Sequence, residues 1–332
     1  MMSCDMISVL AIYIIIMKKI VVFGECMLEF APLAAQQYQR GIAGDVYNTS
    51  VYLQRLATGL AQVSLLSAVG RDAVSDNMVS QFQVEQISTD YVYRHPEQTV
   101  GAYLIDIDSA GERSFTYWRG QAAARETFAL ANDKQLSQLI ERTDIFYFSG
   151  ISIAIIAKND RERFWQFVER LAALGKQIVF DTNFRPQLWP DKALAQQAFQ
   201  RALRVSTTVF AGVEDLEQLA MGNCFNSVAM SLNDFAIDEL VIKHGEHGVQ
   251  VIQDEKSQFI AIEPVANVVD TTSAGDSFNA GYLYARLVGS NITLSVSYAS
   301  LLAAHVIQHR GAIIAAEEFA PIQVSLNTLM QS

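Results

Sequence analysis

Residues Asp270–Leu283 read DTTSAGDSFNAGYL: two aspartates six positions apart, a turn of small residues between them, and an apolar helical pattern directly after. Phe278, Gly281, Tyr282, Ala285 and Val288 recur at helical spacing, which predicts a helix beginning near Ala274. Its entry, Ser273-Ala274-Gly275, carries no bulky side chain, so the first backbone N–H groups of the helix lie open. Open donors and the helix dipole together suit an anion, a phosphate above all. Asp276 then stands in the first turn, within reach of whatever those donors hold. An acid in that position also favours the dipole by about 0.3–1 kcal/mol, whatever else it does. A glycine at the approach point, an acid right after it and a strand before it point further, to phosphoryl transfer with Asp276 as base toward a hydroxyl. Positioning and electrostatics carry most of that chemistry, so a carboxylate and an N–H cradle suffice.

On the N-terminal side of this stretch, short apolar runs alternate with longer helical patterns. Lys19–Phe23, Gln62–Val69, Asp144–Phe148, Gln177–Phe180, Thr207–Ala211 and Glu239–Ile242 read as buried strands. Asp76–Gln86, Asp160–Leu174 and Asp191–Val205 read as helices between them. The alternation predicts an α/β fold, a doubly wound, mostly parallel sheet with helices on both faces. Ligands of such sheets sit beyond the carboxyl ends of the strands. That rule singles out Gly24-Glu25, Ser149-Gly150, Asp181–Arg185 and Lys243–Gly245. Thr99–Arg119 breaks the alternation and reads as a β-hairpin around Ser109-Ala110-Gly111, ending in Tyr117, Trp118 and Arg119. With the polar, Pro32-containing tract Leu28–Gly44 it is expected to form a small β lid, over about 28–44 and 99–119. Trp118 is expected to pack within the lid and Arg119 to face a ligand rather than the solvated rim.

The 332 residues are 51% hydrophobic and 18% charged, with a net charge of −11. That charge argues against non-specific nucleic-acid or anionic-membrane binding. Three cysteines (Cys4, Cys26, Cys224) without paired spacing point to a reducing, cytoplasmic setting, with no zinc site. Residues Ile7–Ile16 are apolar but shorter than the roughly 20 residues that span a bilayer. We read residues 1–16 as an extension outside the fold, and 17–320 as the functional unit.

Several motifs are missing. VVFGECM after the first strand has a single glycine and no dinucleotide fingerprint, and neither a P-loop nor a Gly-x-Ser-x-Gly elbow occurs. His244 and His247 fall on a glycine-flanked turn, a nucleotide-adjacent or surface position rather than a metal pair.

DTTSAGDSFNAGYL closely resembles the C-terminal signature of the ribokinase-like (PfkB) carbohydrate kinases, usually written Asp-Thr-x-Gly-Ala-Gly-Asp. GIAGDVYNTSVYLQRL is similar to that family's Gly-Gly-x-x-x-Asn substrate motif, and SAVGRDAVSDNM to its Gly-x-Asp block. GERSFTYWRGQAAA, YFSGISIAI, FDTNFRPQLW and VIQHRGAI resemble, more narrowly, the 2-keto-3-deoxygluconate kinase branch. The resemblance runs from Met17 to about Ile314.

It implies ATP-dependent, magnesium-dependent phosphorylation of 2-dehydro-3-deoxy-D-gluconate at its 6-hydroxyl. Asp276 would be the base, and the backbone at Ser273, Ala274 and Gly275 the anion hole. Gly44, Asp45 and Asn48 would hold the sugar acid, joined from the lid by Tyr103, Tyr117 and Arg119. Arg185 would reach both substrate and nucleotide, with Asn183, Lys243, Gly245 and Gly248 contacting ATP. Asp270 and Thr272 match a monovalent-cation (K+) loop. Glu214 and Asp215 stand where the family's Asn-x-x-Glu organises magnesium through water, here Gly212-Val213-Glu214-Asp215 without the asparagine. The usual Gly-Gly is Ala43-Gly44, and Ser273 replaces the more common glycine or alanine. A substrate carboxylate asks for a cation, and Arg119 and Arg185 offer the two-pronged contact that arginine makes. A homo-oligomer formed through the lid is implied as well. The alternatives are a kinase of fructose or another neutral sugar, and a sugar-acid-binding regulator without catalysis.

Overall fold

The structure is a computed structural model, and it describes residues 17–34, 37–107 and 113–330. Residues 1–16 and the Ser109-Ala110-Gly111 turn lie outside the described residues. In chain order the strands are β1 (Lys18–Phe23), β2 (Met27–Ala34), β3 (Gln37–Ala43), β4 (Ala61–Val69), β5 (Ser88–Arg94), β6 (Gly101–Ile107) and β7 (Arg113–Trp118). They continue with β8 (Ile145–Ser149), β9 (Gln177–Asp181), β10 (Thr208–Gly212), β11 (Glu239–Lys243), β12 (Val249–Gln253) and β13 (Lys256–Ile260).

Nine strands form one sheet in the order β13-β12-β11-β10-β9-β8-β1-β4-β5. From β5 to β11 the neighbours pair in parallel, while β12 and β13 add an antiparallel edge. The sequence reading lacked β5, β12 and β13. β5 (STDYVYR) is half-buried and polar at both ends, and β13 (KSQFI) is largely exposed, so neither shows the apolar run of a central strand.

Period-two alternation divides the core into two layers. Ile20 and Val22 join Tyr147, Val179 and Phe210 on one face, against α1 (Asp45–Leu56), α5 (Ala274–Leu287) and α6 (Ile292–Val306). Val21 and Phe23 join Phe146, Phe148, Ile178 and Phe180 on the other, against α3 (Arg161–Ala173) and α4 (Lys192–Val205). α2 (Ala73–Val84) starts at Asp72, whose carboxylate accepts the Ser75 N–H at 2.9 Å. Both faces of the sheet are therefore dry, and the polar ends of its strands are what remains for a ligand.

A second sheet of four strands, β3-β2-β6-β7, rises from the same edge. β6 and β7 pair antiparallel, with Tyr103 opposite Tyr117, and β2 runs parallel to β6. Trp118 corrects the expectation of lid packing: it is 57% exposed on the outer face, because its neighbour Tyr117 takes the inward side of the pleat. Among the described residues no helix is long and apolar enough to cross a membrane.

Candidate active site

α5 begins at Ala274, directly after the Asp270–Ser273 turn, and no side chain caps its N-terminus. The Ala274 N–H is not open, as the small-residue entry suggested; it donates to the Thr271 carbonyl at 3.2 Å. The N–H groups of Gly275 and Asp276 have no partner among the described residues. Ser273 is buried, and its hydroxyl turns inward to donate to Asp276 Oδ2 at 3.3 Å. Of the expected Ser273–Gly275 cradle, the Ala274 N–H is thus taken up by the turn, while that of Gly275 stays open and is joined by that of Asp276.

Asp276 is buried, and Asn48 Nδ2 donates to its Oδ2 at 2.8 Å. Its pKa is pushed up to about 8, first by burial and next by the Asp45 carboxylate, with the Asn48 hydrogen bond and Lys243 working against them. The base that the sequence singled out is thus a desolvated carboxyl, which holds its proton more tightly than a free aspartate does.

Two cavities meet at this group. The first, about 540 Å³, opens past the carboxyl ends of β9, β10 and β11, and its lining includes Asp181, Glu214, Lys243, Gly275 and Asp276. Its far wall is apolar, from Val249, Ile262, Val265, Ala303 and Ile307. Gly245 and Gly248 turn the chain there with φ of 48° and 108°. Lys243 Nζ donates to Asp181 Oδ1 at 3.2 Å and Asn279 Oδ1 at 2.9 Å, beside Gly275. Asp215 turns inward, accepts the Thr182 hydroxyl at 2.8 Å and is pushed above the usual carboxylate range by burial. Glu214, next to it, projects exposed into the cavity mouth, 3.9 Å from His244. The His244 and His247 rings lie 4.5 Å apart, tilted by 56°, on the turn, and no cluster of metal-type side chains occurs among the described residues.

The second cavity, about 490 Å³, lies between the large sheet and the four-stranded one. Gly44, Asp45 and Asn48 line it from the start of α1, and Tyr103, Phe115, Tyr117 and Arg119 from the lid. A Cβ on Gly44 would stand 2.5 Å from the Glu25 carbonyl oxygen, so the close approach needs glycine at 44, and Ala43 is tolerated. Asp45 accepts from the Ser149 hydroxyl and, at 3.2 Å, from Asn183 Nδ2; burial raises its pKa. Asn183 was expected on the nucleotide side, yet its amide serves Asp45, and the residue lines both cavities. Arg185 also lines both, 46% exposed and 3.7 Å from Asp215. Phe115, missed in the sequence, stacks on Tyr117 at 6.2 Å; the i, i+2 spacing to Tyr117 was the available signal.

Arg119 is neither solvated nor unpaired. Its side chain is 10% exposed, and its Nε and Nη2 lie 2.9 and 2.5 Å from Oε2 of Glu25, itself 1% exposed. Tyr103 donates its hydroxyl to Glu29. Asp270 accepts from the Thr272 N–H and hydroxyl on one oxygen and from the Gly311 N–H, at 3.0 Å, on the other. These bonds tie the Asp270–Thr272 turn to the start of the segment after α6.

A family model for pfkB family carbohydrate kinases matches residues 17–318. The 2-dehydro-3-deoxygluconokinase of Haemophilus influenzae is 35% identical over 314 residues, covering 94% of this chain and 100% of its own. That of Dickeya dadantii is 37% identical over 304 residues, covering 90% and 98%. A solved fructokinase with bound ATP from Xylella fastidiosa has the same fold, with a TM-score of 0.78 at 22% identity, covering 95% of this chain and 99% of that one. With two cavities joined at a buried carboxylate and a family match over most of its length, the chain belongs to the pfkB family of carbohydrate kinases.

Proposed function

We propose that the protein is an ATP:2-dehydro-3-deoxy-D-gluconate 6-phosphotransferase, with residues 17–320 as the kinase unit. The observation that carries this reading is Asp276, which lines both cavities beside the unpartnered Gly275 N–H. ATP lies in the first cavity, its base against the apolar wall and its phosphates along Lys243 and Gly275. The sugar acid lies in the second, held by Gly44, Asp45 and Asn48 and covered by Tyr103 and Tyr117. Its carboxylate is met by the half-exposed Arg185, while Arg119, already paired with Glu25, adds oriented N–H donors; a guanidinium facing this cavity favours a sugar acid over a neutral sugar.

Asp276 takes the proton of the 6-hydroxyl as that oxygen forms its bond to the γ-phosphorus. The bond to the β,γ-bridging oxygen breaks, ADP leaves, and the proton passes from Asp276 to solvent. A base titrating near the working pH is well matched to this task. The N–H groups of Gly275 and Asp276 and the Lys243 ammonium stabilise the charge spread over the transferred group. The exposed Glu214 fits a magnesium ion held through water better than Asp215, which Thr182 occupies; the ion would shield phosphate charge. The lid keeps water from the transferring phosphoryl group.

β3 and β7 leave the lid with two edges that have no partner strand among the described residues, which supports pairing of copies through it. Cys26 and Cys224 are unpaired, in keeping with a cytoplasmic enzyme that draws on cellular ATP. A coupled ADP-release assay tests the reading. Sugar-acid-dependent ADP formation is expected, whereas binding without turnover would point to a regulator.

A further inference from the structure

The chain crosses between the large sheet and the lid four times: at 24–26, at 43–44, at 95–100 and at 119–122. All four crossings converge on one residue, two of them on its side chain. Glu25 stands in the first. Its carbonyl oxygen lies against Gly44 in the second, where any Cβ would strike it. Its Oε1 fills the space that a Cβ on Gly101 would need, at the end of the third. Its Oε2 holds Arg119, the first residue of the fourth.

We infer that Glu25 is the positioning residue at the root of the lid: it aims the Arg119 guanidinium into the sugar cavity and ties lid and body together there. The role rests on the reading of the second cavity as the sugar site. Three features argue against an incidental ion pair. A surface pair holds two mobile side chains and contributes little, whereas this one is buried on both sides. A buried carboxylate is costly to keep, and Oε1 has no hydrogen-bond partner, so the fold bears a desolvation cost that a leucine would avoid. Finally, Arg119 is held from two sides: its Nε donates to Oε2 of Glu25 at 2.9 Å, with Nη2 in ion-pair range of the same oxygen, and its guanidinium lies over the Tyr117 ring, 5.7 Å from the centroid. A guanidinium held in this way is what oriented recognition of an anionic or polyhydroxylated ligand requires.

The test is steady-state kinetics of Glu25→Ala, Glu25→Gln, Arg119→Ala and the double variant Glu25→Ala/Arg119→Ala, with whichever sugar the wild-type enzyme phosphorylates best. Glu25→Ala is expected to raise the KM for that sugar roughly tenfold or more, with kcat and the KM for ATP changing less than about threefold. Glu25→Gln keeps an acceptor for Nε and is expected to restore most of the sugar KM. In the Arg119→Ala background Glu25→Ala should add less than about twofold, since its effect runs through the arginine. Should Glu25→Ala fail to fold, Glu25→Asp, one methylene short of Arg119, takes its place in the cycle. Additive effects in the double variant, or equal losses in Glu25→Ala and Glu25→Gln, would overturn the role. If the preferred sugar proves to be neutral, the substrate reading falls, and the same cycle run on that sugar still decides the role of Glu25.

Discussion

Asn48 and Asp276 stand 228 residues apart in the chain, yet the asparagine amide donates to the carboxylate at 2.8 Å in a buried site. The bond crosses from α1 to α5, the two helices that bring sugar cavity and anion-binding end together. It fixes the rotamer of the base and favours its ionised form. Asn48→Ala should therefore lower kcat by roughly tenfold or more and push the activating pKa higher, read from the pH dependence of kcat.

The wild-type pH profile follows from the same carboxyl. With Asp276 at about 8, kcat/KM for the sugar should rise with pH through a limb near that value and level off above it. A flat profile from pH 6 to 9 would mean that a different group takes the proton.

Asp276→Asn separates chemistry from stability. Activity should fall by roughly 10²–10⁴, the usual contribution of a general base. The folded protein keeps the Asp276 proton between its ordinary pKa of 3.8 and about 8, whereas the unfolded chain has released it. The folded state then binds more protons across that window, and wild-type stability falls as pH rises. The asparagine variant carries no such cost, so its melting temperature should exceed the wild-type value by a few degrees at pH 8 and by less at pH 5. Equal melting at both pH values would contradict a desolvated base.

Lys243 bears on both reactants. Its ammonium lies beside Gly275 and lowers the Asp276 pKa, so Lys243→Met should raise the KM for ATP, reduce kcat and move the ascending limb to higher pH. A loss confined to the ATP KM, with the limb unmoved, would reduce the residue to a nucleotide contact.

Much of this site could be read from the sequence because its residues obey local rules. Asp276 follows a small-residue helix entry, and Glu25, Ser149, Asp181 and Lys243 each lie at or just past the end of a strand. What escaped was partnership across long separations. The pairing of Arg119 with Glu25, 94 residues away, turns an apparently available cation into a neutralised and oriented one. Asn183 was assigned by motif to the nucleotide, but its amide faces Asp45, 138 residues earlier in the chain. The loss of the Ala274 N–H from the cradle depends on one 3.2 Å bond to Thr271, which no residue pattern encodes. The edge strand β13 escaped for a different reason: a short, exposed, polar strand lacks the apolar signal that marked the central ones.

The most direct test of the central claim is a comparison of kcat/KM, with ATP, for 2-dehydro-3-deoxy-D-gluconate, its galactonate-derived epimer, fructose and ribose, with the product position fixed by phosphorus-coupled NMR. The account predicts that a keto-deoxy sugar acid is preferred over both neutral sugars by at least roughly tenfold, the worth of one well-made charge contact, and that the phosphate is found on the 6-oxygen. Preference for fructose or ribose, or phosphate on another oxygen, would contradict it.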